Sequence, residues 1–335
     1  MRVLAFLLPL AFLALPVAAA PPGLHGADRR APRRPVHTYS IVARDAQTGQ
    51  IGVAVQSHWF QVGTIVPWAE AGVGAVATQS FVEPGYGPRG LQLMRGGVSA
   101  PDALRALLAR DDGRDVRQVA MIDARGRVAA WTGGRCIAEA GHIEGEGFSV
   151  QANLMASDRV WPAMAEAFVA SAGRPLAERL LAALEAAEAA GGDVRGRQSA
   201  ALVVVRAQTT GEPWKDRLVD LRVDDSPRPL EELRRLLRLH RAYESMNAGD
   251  EALAAGDAEK ALALYGAAAD LAPDIVEIPF WQAVTLADTG RLEQALPIFR
   301  RVFAAEPRWK EILRRLPAAG LLAQKRVHAI LDGAK

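Results

Sequence analysis

From Thr38 onward apolar and polar positions alternate with a period of two, the spacing of strands that bury one face. TYSIVARD and QIGVAVQS are two such runs on either side of a turn at Ala46 to Gly49, and after VGTIVPWA a third follows in GVGAVATQS. Their glycines and alanines predict a sheet covered closely on both faces. A helix is predicted over Gly87 to Arg95, stopped by Gly96 and Gly97, and a second over Ser99 to Arg110, with Ser99 as N-cap and Pro101 in the first turn. RQVAMIDARGRVAAWTG reads as a hairpin about Arg125-Gly126, Gly133 to Gly147 as loop, and FSVQANL as a short strand. Two helices, Ser157 to Ser171 and Pro175 to Ala190, precede SAALVVVR at 199 to 206, which reads as the last strand. Strands and helix pairs in this order predict an α+β domain with antiparallel sheets between helices.

After Pro213 the pattern turns helical. SPRPLEELRRLLRLHRAYE has Ser226 as a cap and sets Leu230, Leu233, Leu237 and His240 along one face, where His240 reads as a partly buried edge. Beyond it, GDAEKALALYGAAADLAPD and GRLEQALPIFRRVFAAEPR superpose at a shift of 34 residues, with Gly256 on Gly290, Ala261 on Ala295, Leu262 on Leu296, Tyr265 on Phe299 and Pro273 on Pro307. This period, with small, aromatic and proline residues in this sequence, resembles the tetratricopeptide repeat. WKEILRRLPAAGLLAQKRVHAIL reads as a cap on the stack. A packing or dimerising appendage and a surface for a protein or peptide are both open.

The N-terminal end reads differently. Residues 1–20 place one Arg before an apolar run that ends in three alanines, the pattern of a signal peptide, and the run is short for a bilayer span and broken by Pro9 and Pro16. Export to the periplasm or medium is therefore expected, with no stable membrane span after signal cleavage. Residues 21–36 hold four prolines and four arginines, a composition suited to a solvated linker. The division expected is a signal peptide at 1–20, a linker or propeptide at 21–37, a first domain at 38–210, a connecting segment with an amphipathic helix at 211–241 and helical repeats at 242–335.

A formal charge of +2 over 335 residues argues against a nucleic-acid partner. Cys136 is the only cysteine, so packing must supply the stability that a disulfide cannot. The six histidines never take metal-ligand spacing, and GVGAVA lacks the glycine spacing of a phosphate cradle, so neither a metal nor a cofactor is expected.

TYSIVARD, GVAVQS, VPWAEAGVGAVATQS, YGPRGLQL, RQVAMIDARGRVAAWTG, the Ala140–His142 triplet, QANLM and AGGDVRGRQSAALVVVR together resemble the domain of unknown function 1028 family, placed among the N-terminal-nucleophile hydrolases. The resemblance implies a four-layer αββα sandwich followed here by an all-α repeat domain, without supplying a reaction. It also gives Thr38 a meaning. In that superfamily the nucleophile is the first residue of the processed chain, at the head of a strand.

The chemistry stands on its own terms. A threonine hydroxyl needs a base, and a free α-amine on the same residue, with a pKa of about 8, is partly neutral near pH 7. Signal cleavage leaves Thr38 inside the chain, so a cut between His37 and Thr38 is required. No lysine occurs before Lys215 to tune it. Thr38 otherwise simply opens an edge strand, as β-branched residues do.

Asn153 and Gln151 share a strand face and are candidates to offer amides to an oxyanion or substrate. Asp193 and Arg195 are candidates for a charged pair over a pocket, or they stitch their own Gly-rich turn. Gln79, Ser80, His142, Gln198 and Ser199 are candidate substrate-binding groups, His142 as a proton carrier. Cys136 reads as a small buried thiol. Two functions are open: an exported hydrolase of peptide-like or small amides through Thr38, or a non-catalytic envelope module in which the sandwich binds a ligand and the repeats bind a protein. In some relatives the segment after the core is labelled peptidoglycan-binding, and WKDRLVDLRVDDSPRPLEELRRLLRLHRAY resembles its start. A homo-oligomer is compatible with either.

Overall fold

The computed structural model describes residues 36–334. The signal-like run and the Pro/Arg-rich segment up to residue 35 lie outside the described residues. In chain order the elements are β1 (Thr38–Arg44), β2 (Ile51–Ser57), β3 (Pro67–Glu70), β4 (Gly74–Ser80), α1 (Tyr86–Arg95), α2 (Ala100–Leu108), β5 (Arg117–Asp123), β6 (Val128–Thr132), β7 (Gly141–Gly145), β8 (Phe148–Asn153), α3 (Val160–Ala170), α4 (Leu176–Ala189), β9 (Ser199–Val205), α5 (Pro213–Asp216) and β10 (Arg217–Val223). The helical region continues as α6 (Pro229–Ala254), α7 (Ala258–Leu271), α8 (Glu277–Asp288), α9 (Leu292–Ala305), α10 (Trp309–Arg315) and α11 (Gln324–Gly333). The N-terminal part is thus mixed α+β and the C-terminal part all-helical.

The strands form a six-stranded sheet, ordered β10-β9-β2-β1-β8-β7, and a four-stranded sheet, ordered β3-β4-β5-β6. Every named pairing is antiparallel. Period two sorts the side chains of β1: Tyr39, Ile41 and Ala43 face a cluster with Met164, Phe168, Leu180 and Leu184 of α3 and α4, and Leu233 and Leu237 of α6. On the opposite face, Val42, Val53, Val55 and Val203 meet Ala75, Ala77, Ala120 and Ile122 of the four-stranded sheet. The far face of that sheet packs Val76, Val119 and Met121 on Leu91, Met94 and Leu104 of α1 and α2. Each fully buried branched side chain contributes on the order of 2 kcal/mol through removal from water. Small residues set the spacing: a Cβ on Gly52 would come within 2.6 Å of Leu180 Cδ1, so α4 sits close on β2.

Ser99 caps α2 by accepting from the Asp102 N–H, in keeping with its place before Pro101. Two strands differ from the sequence reading. Gly133 to Gly147, read as loop, contains β7, whose GHIEG pairs with β8 alone at the sheet edge. Its glycines and charged residue hide the strand because edge positions are only half-buried.

SAALVVVR is not the last strand. In the segment read as a connection, RLVDLRV forms β10 against β9, burying Val219 and Val223 and leaving Arg217 and Asp220 outward. The sheet domain therefore runs beyond 210. α6 passes unbroken through the boundary drawn at 241, starting at Pro229 with Arg228 as cap residue, while Ser226 instead accepts the Arg228 N–H in the preceding turn.

The repeat pairs α6 with α7 and α8 with α9. Gly256 and Gly290 follow α6 and α8 with φ of 82° and 86°, left-handed conformations that glycine adopts without strain. Ala261 and Ala295 are fully buried. Tyr265 of α7 packs against α6, where a Cβ on Gly249 would meet its ring at 2.6 Å, and its hydroxyl donates to Asp250 at 2.6 Å. Phe299 meets Phe280 of α8 edge-on at 5.9 Å. Leu313, Val327 and Ile330 of α10 and α11 close the end of that core.

Candidate functional site

At one end of the layer between the sheets the side chains change from apolar to polar. The register sets Thr38 between Ser57 of β2 and Asn153 of β8, with Ser199 of β9 beyond Ser57. All four are fully buried. They share the face of Val42 and Val53 by the two-residue period, so the row looks into the inter-sheet space.

Thr38 lies under the two residues that precede it. Val36 makes a two-way bridge to Ser80, its N–H to the Ser80 oxygen at 2.6 Å and its oxygen accepting the Ser80 N–H at 2.9 Å. The Thr38 hydroxyl is shared between the Val36 carbonyl at 2.9 Å and Ser57 Oγ at 3.1 Å. Ser57 Oγ donates in turn to the carbonyl of His37, which also accepts from Arg195 Nη2 at 2.8 Å. The carbonyl before Thr38 thus holds two side-chain donors, one of them a guanidinium. The His37 imidazole meets Asn153 Oδ1 at 3.0 Å, and burial pushes its pKa down, only partly offset by that bond.

Behind this row lies a buried amide network. Gln118 Nε2 donates to the main-chain carbonyls of Ala152 at 2.8 Å and Gly141 at 3.2 Å and to Thr132 Oγ1 at 2.9 Å. Gln118 Oε1 accepts from Gln79 Nε2 at 2.7 Å and Asn153 Nδ2 at 2.9 Å. Gln79 also accepts from Ser40 Oγ and donates to the Thr38 carbonyl, while Gln151 donates to Ser40 Oγ and accepts from Ser149 Oγ. In a low-dielectric interior such bonds fix one arrangement, because each unmade one is costly.

Asp193 and Arg195 form a charged pair and stitch their own turn. Asp193 has no exposed side-chain surface, pairs with Arg195 at 2.6 Å and accepts the His58 N–H, which stitches the turn. The same pair aims Arg195 at the His37 carbonyl. Asn153 stands beside Thr38. Gln79 and Gln151 belong to the network one step back. Ser80 contributes main chain to Val36, from a left-handed φ of 68°.

Three candidates stand apart. Gln198 reaches outward to Asp225. Ser199 is in the row, but its hydroxyl holds the loop at Trp59 and Val62. His142 touches Thr132 Oγ1 and joins the network only through Gln118, and burial lowers its pKa. Cys136 is half-buried and bonds the Arg117 carbonyl, with its thiol pKa raised by burial. Sequence reasoning missed Ser57, Gln118, Ser40 and His37. For Ser57, Gln118 and Ser40 the signal is a polar residue at an inward position of an otherwise apolar strand, visible only once the faces are assigned, whereas His37 precedes β1 and lies in no strand.

Among the described residues no cluster of three or more His, Cys, Asp or Glu could hold a metal ion, and no helix is long and apolar enough to cross a membrane. Residues 38–233 match the model of a family of unknown function, DUF1028, so the chain belongs to that family. Residues 252–319 match the tetratricopeptide repeat. The crystal structure of a DUF1028 protein from Silicibacter pomeroyi is similar at 33% identity and a TM-score of 0.54, covering 60% of this chain and 85% of that one. No curated protein matches.

Proposed function

We propose that this is an exported amide hydrolase whose nucleophile, Thr38, is released by cutting its own chain after His37. The observation that carries the reading is the His37 carbonyl held by Ser57 Oγ and Arg195 Nη2, with the Thr38 hydroxyl bonded to the same Ser57. These donors sit where an oxyanion would form. In the cut, Thr38 Oγ bonds to the His37 carbonyl carbon, the His37–Thr38 C–N bond breaks, and the hydroxyl proton passes to the departing nitrogen. Water then hydrolyses the ester, leaving a His37 carboxylate, a free hydroxyl and a free α-amine on Thr38. The same amine next takes the hydroxyl proton during attack on a substrate amide.

The packing order of helix pair, sheet, sheet and helix pair, with Thr38 heading a central strand and facing between the sheets, supports an N-terminal-nucleophile sandwich. Arg195 supplies positive charge close to Thr38, a place where the chain has no lysine. Residues 1–20 support export. The repeats serve as a protein-docking region on this reading. Intact mass of the purified protein tests the first step: a chain beginning at Thr38, with Thr38→Ala left uncut, supports it. An uncut chain that persists through purification sinks it.

A further inference from the structure

We infer that the place filled by Val36 and His37 is the acyl-side subsite for an extended peptide, whose residue before the scissile bond carries a hydrogen-bond-donating side chain and whose preceding residue is aliphatic. The inference rests on the amide-hydrolase reading above and names the substrate class of that same site. Three features of the intact chain describe such an occupant. Its main chain is read by Ser80, which both gives and takes a hydrogen bond as a strand neighbour does. Its carbonyl is read by Ser57 and Arg195. Its aliphatic side chain enters the inter-sheet core beside the valines of β2.

The fourth feature sets selectivity. Gln118 Nε2 faces two main-chain carbonyls, Ala152 and Gly141, which can only accept, so its amide has one allowed orientation. Gln118 Oε1 then faces Gln79 and Asn153, and both must present NH₂. Asn153 Nδ2 is held inward and Asn153 Oδ1 is left pointing at the His37 ring. Asn153 is therefore an acceptor toward the subsite, not the oxyanion donor that its residue type suggests. His37 meets it with an Nδ1 hydrogen. Asn153 determines specificity at this position, and Gln118 is the positioning residue that orients it.

The test uses the full chain purified after the cut before Thr38, with two probes, acetyl-Pro-Val-His-amide and acetyl-Pro-Val-Leu-amide, and their aminocoumarin derivatives. Calorimetry should show the His peptide binding at least about tenfold more tightly than the Leu peptide, the worth of one buried hydrogen bond. Asn153→Leu should abolish the ratio, and Asn153→Asp, which keeps an acceptor, should restore it. Equal binding of the two peptides overturns the subsite, as does a chain that is never cut. Selective binding without release of aminocoumarin upholds the subsite and overturns the hydrolase. Release from both derivatives at equal kcat/KM does the reverse.

Discussion

Ser57 accepts the hydroxyl of Thr38 and donates its own hydrogen to the carbonyl of His37, so one side chain links the proposed nucleophile to the carbonyl oxygen just before it. Ser57→Ala removes that donor and leaves Arg195 in place. The cut before Thr38 should slow by about 10²- to 10³-fold, the usual loss for one oxyanion donor. The measure is a time course of intact mass, with an unchanged melting profile as control.

Arg195→Ala should do two things at once. It removes the guanidinium from the His37 carbonyl and leaves the carboxylate of Asp193, without exposed side-chain surface, short of its partner. A stability loss of about 3 kcal/mol in urea unfolding is expected, since breaking a buried pair strands a charge. Arg195→Lys should recover part of the stability and less of the cutting, because a lysine cannot span both groups as the guanidinium fork does.

Gln118→Leu should cost about 3 kcal/mol or more. It strips partners from the carbonyls of Gly141 and Ala152 and from the amides of Gln79 and Asn153. Gln198→Ala, on the surface side of the same region, should stay within about 0.5 kcal/mol by the same denaturation assay.

Gln56→Leu should be neutral or stabilise by about 1 kcal/mol. The side chain is fully buried on β2, and neither end of its amide has a protein partner. Replacing it with an apolar group of similar volume removes a desolvated amide. A marked fall in melting temperature would refute this.

The uncut Thr38→Ala chain should lose stability as pH falls. His37 and His142 both have folded pKa values held below 6.5 by burial, so the unfolded chain binds more protons once pH drops past that value. Stability is complete above about pH 7 and declines from about pH 6.5 down through the folded pKa values. Adding His37→Gln should flatten part of that slope in melting curves taken between pH 5 and 8. An unchanged slope would assign no such role to His37.

How much of this was legible in the sequence depended on whether neighbours mattered. The alternation in TYSIVARD, the apolar run of SAALVVVR, the cap at Ser99 and the match of Gly256 with Gly290 are local signals, and each is found in place. β7 and β10 escaped because edge strands are half-wet and carry charges that mimic loops. Within the site, Thr38 and Asn153 could be named from residue type and strand position. The orientation of Asn153 could not, since it follows from carbonyls at Gly141 and Ala152 that only the folded sheets bring to Gln118. Ser57 needed the register that sets it beside Thr38.

α6 serves two masters along its 26 residues: its early turns press Leu233 and Leu237 on the sheet domain, and its late turns hold Tyr265 of the first repeat against Gly249. A continuous rod of that size is about 39 Å long and has no hinge. Anything gripped by the repeats is therefore held at a set bearing to the sheets, as a tool is held by a bracket. Inserting a few residues into that rod would swing the cargo around its axis by roughly 100° per residue while leaving both ends folded.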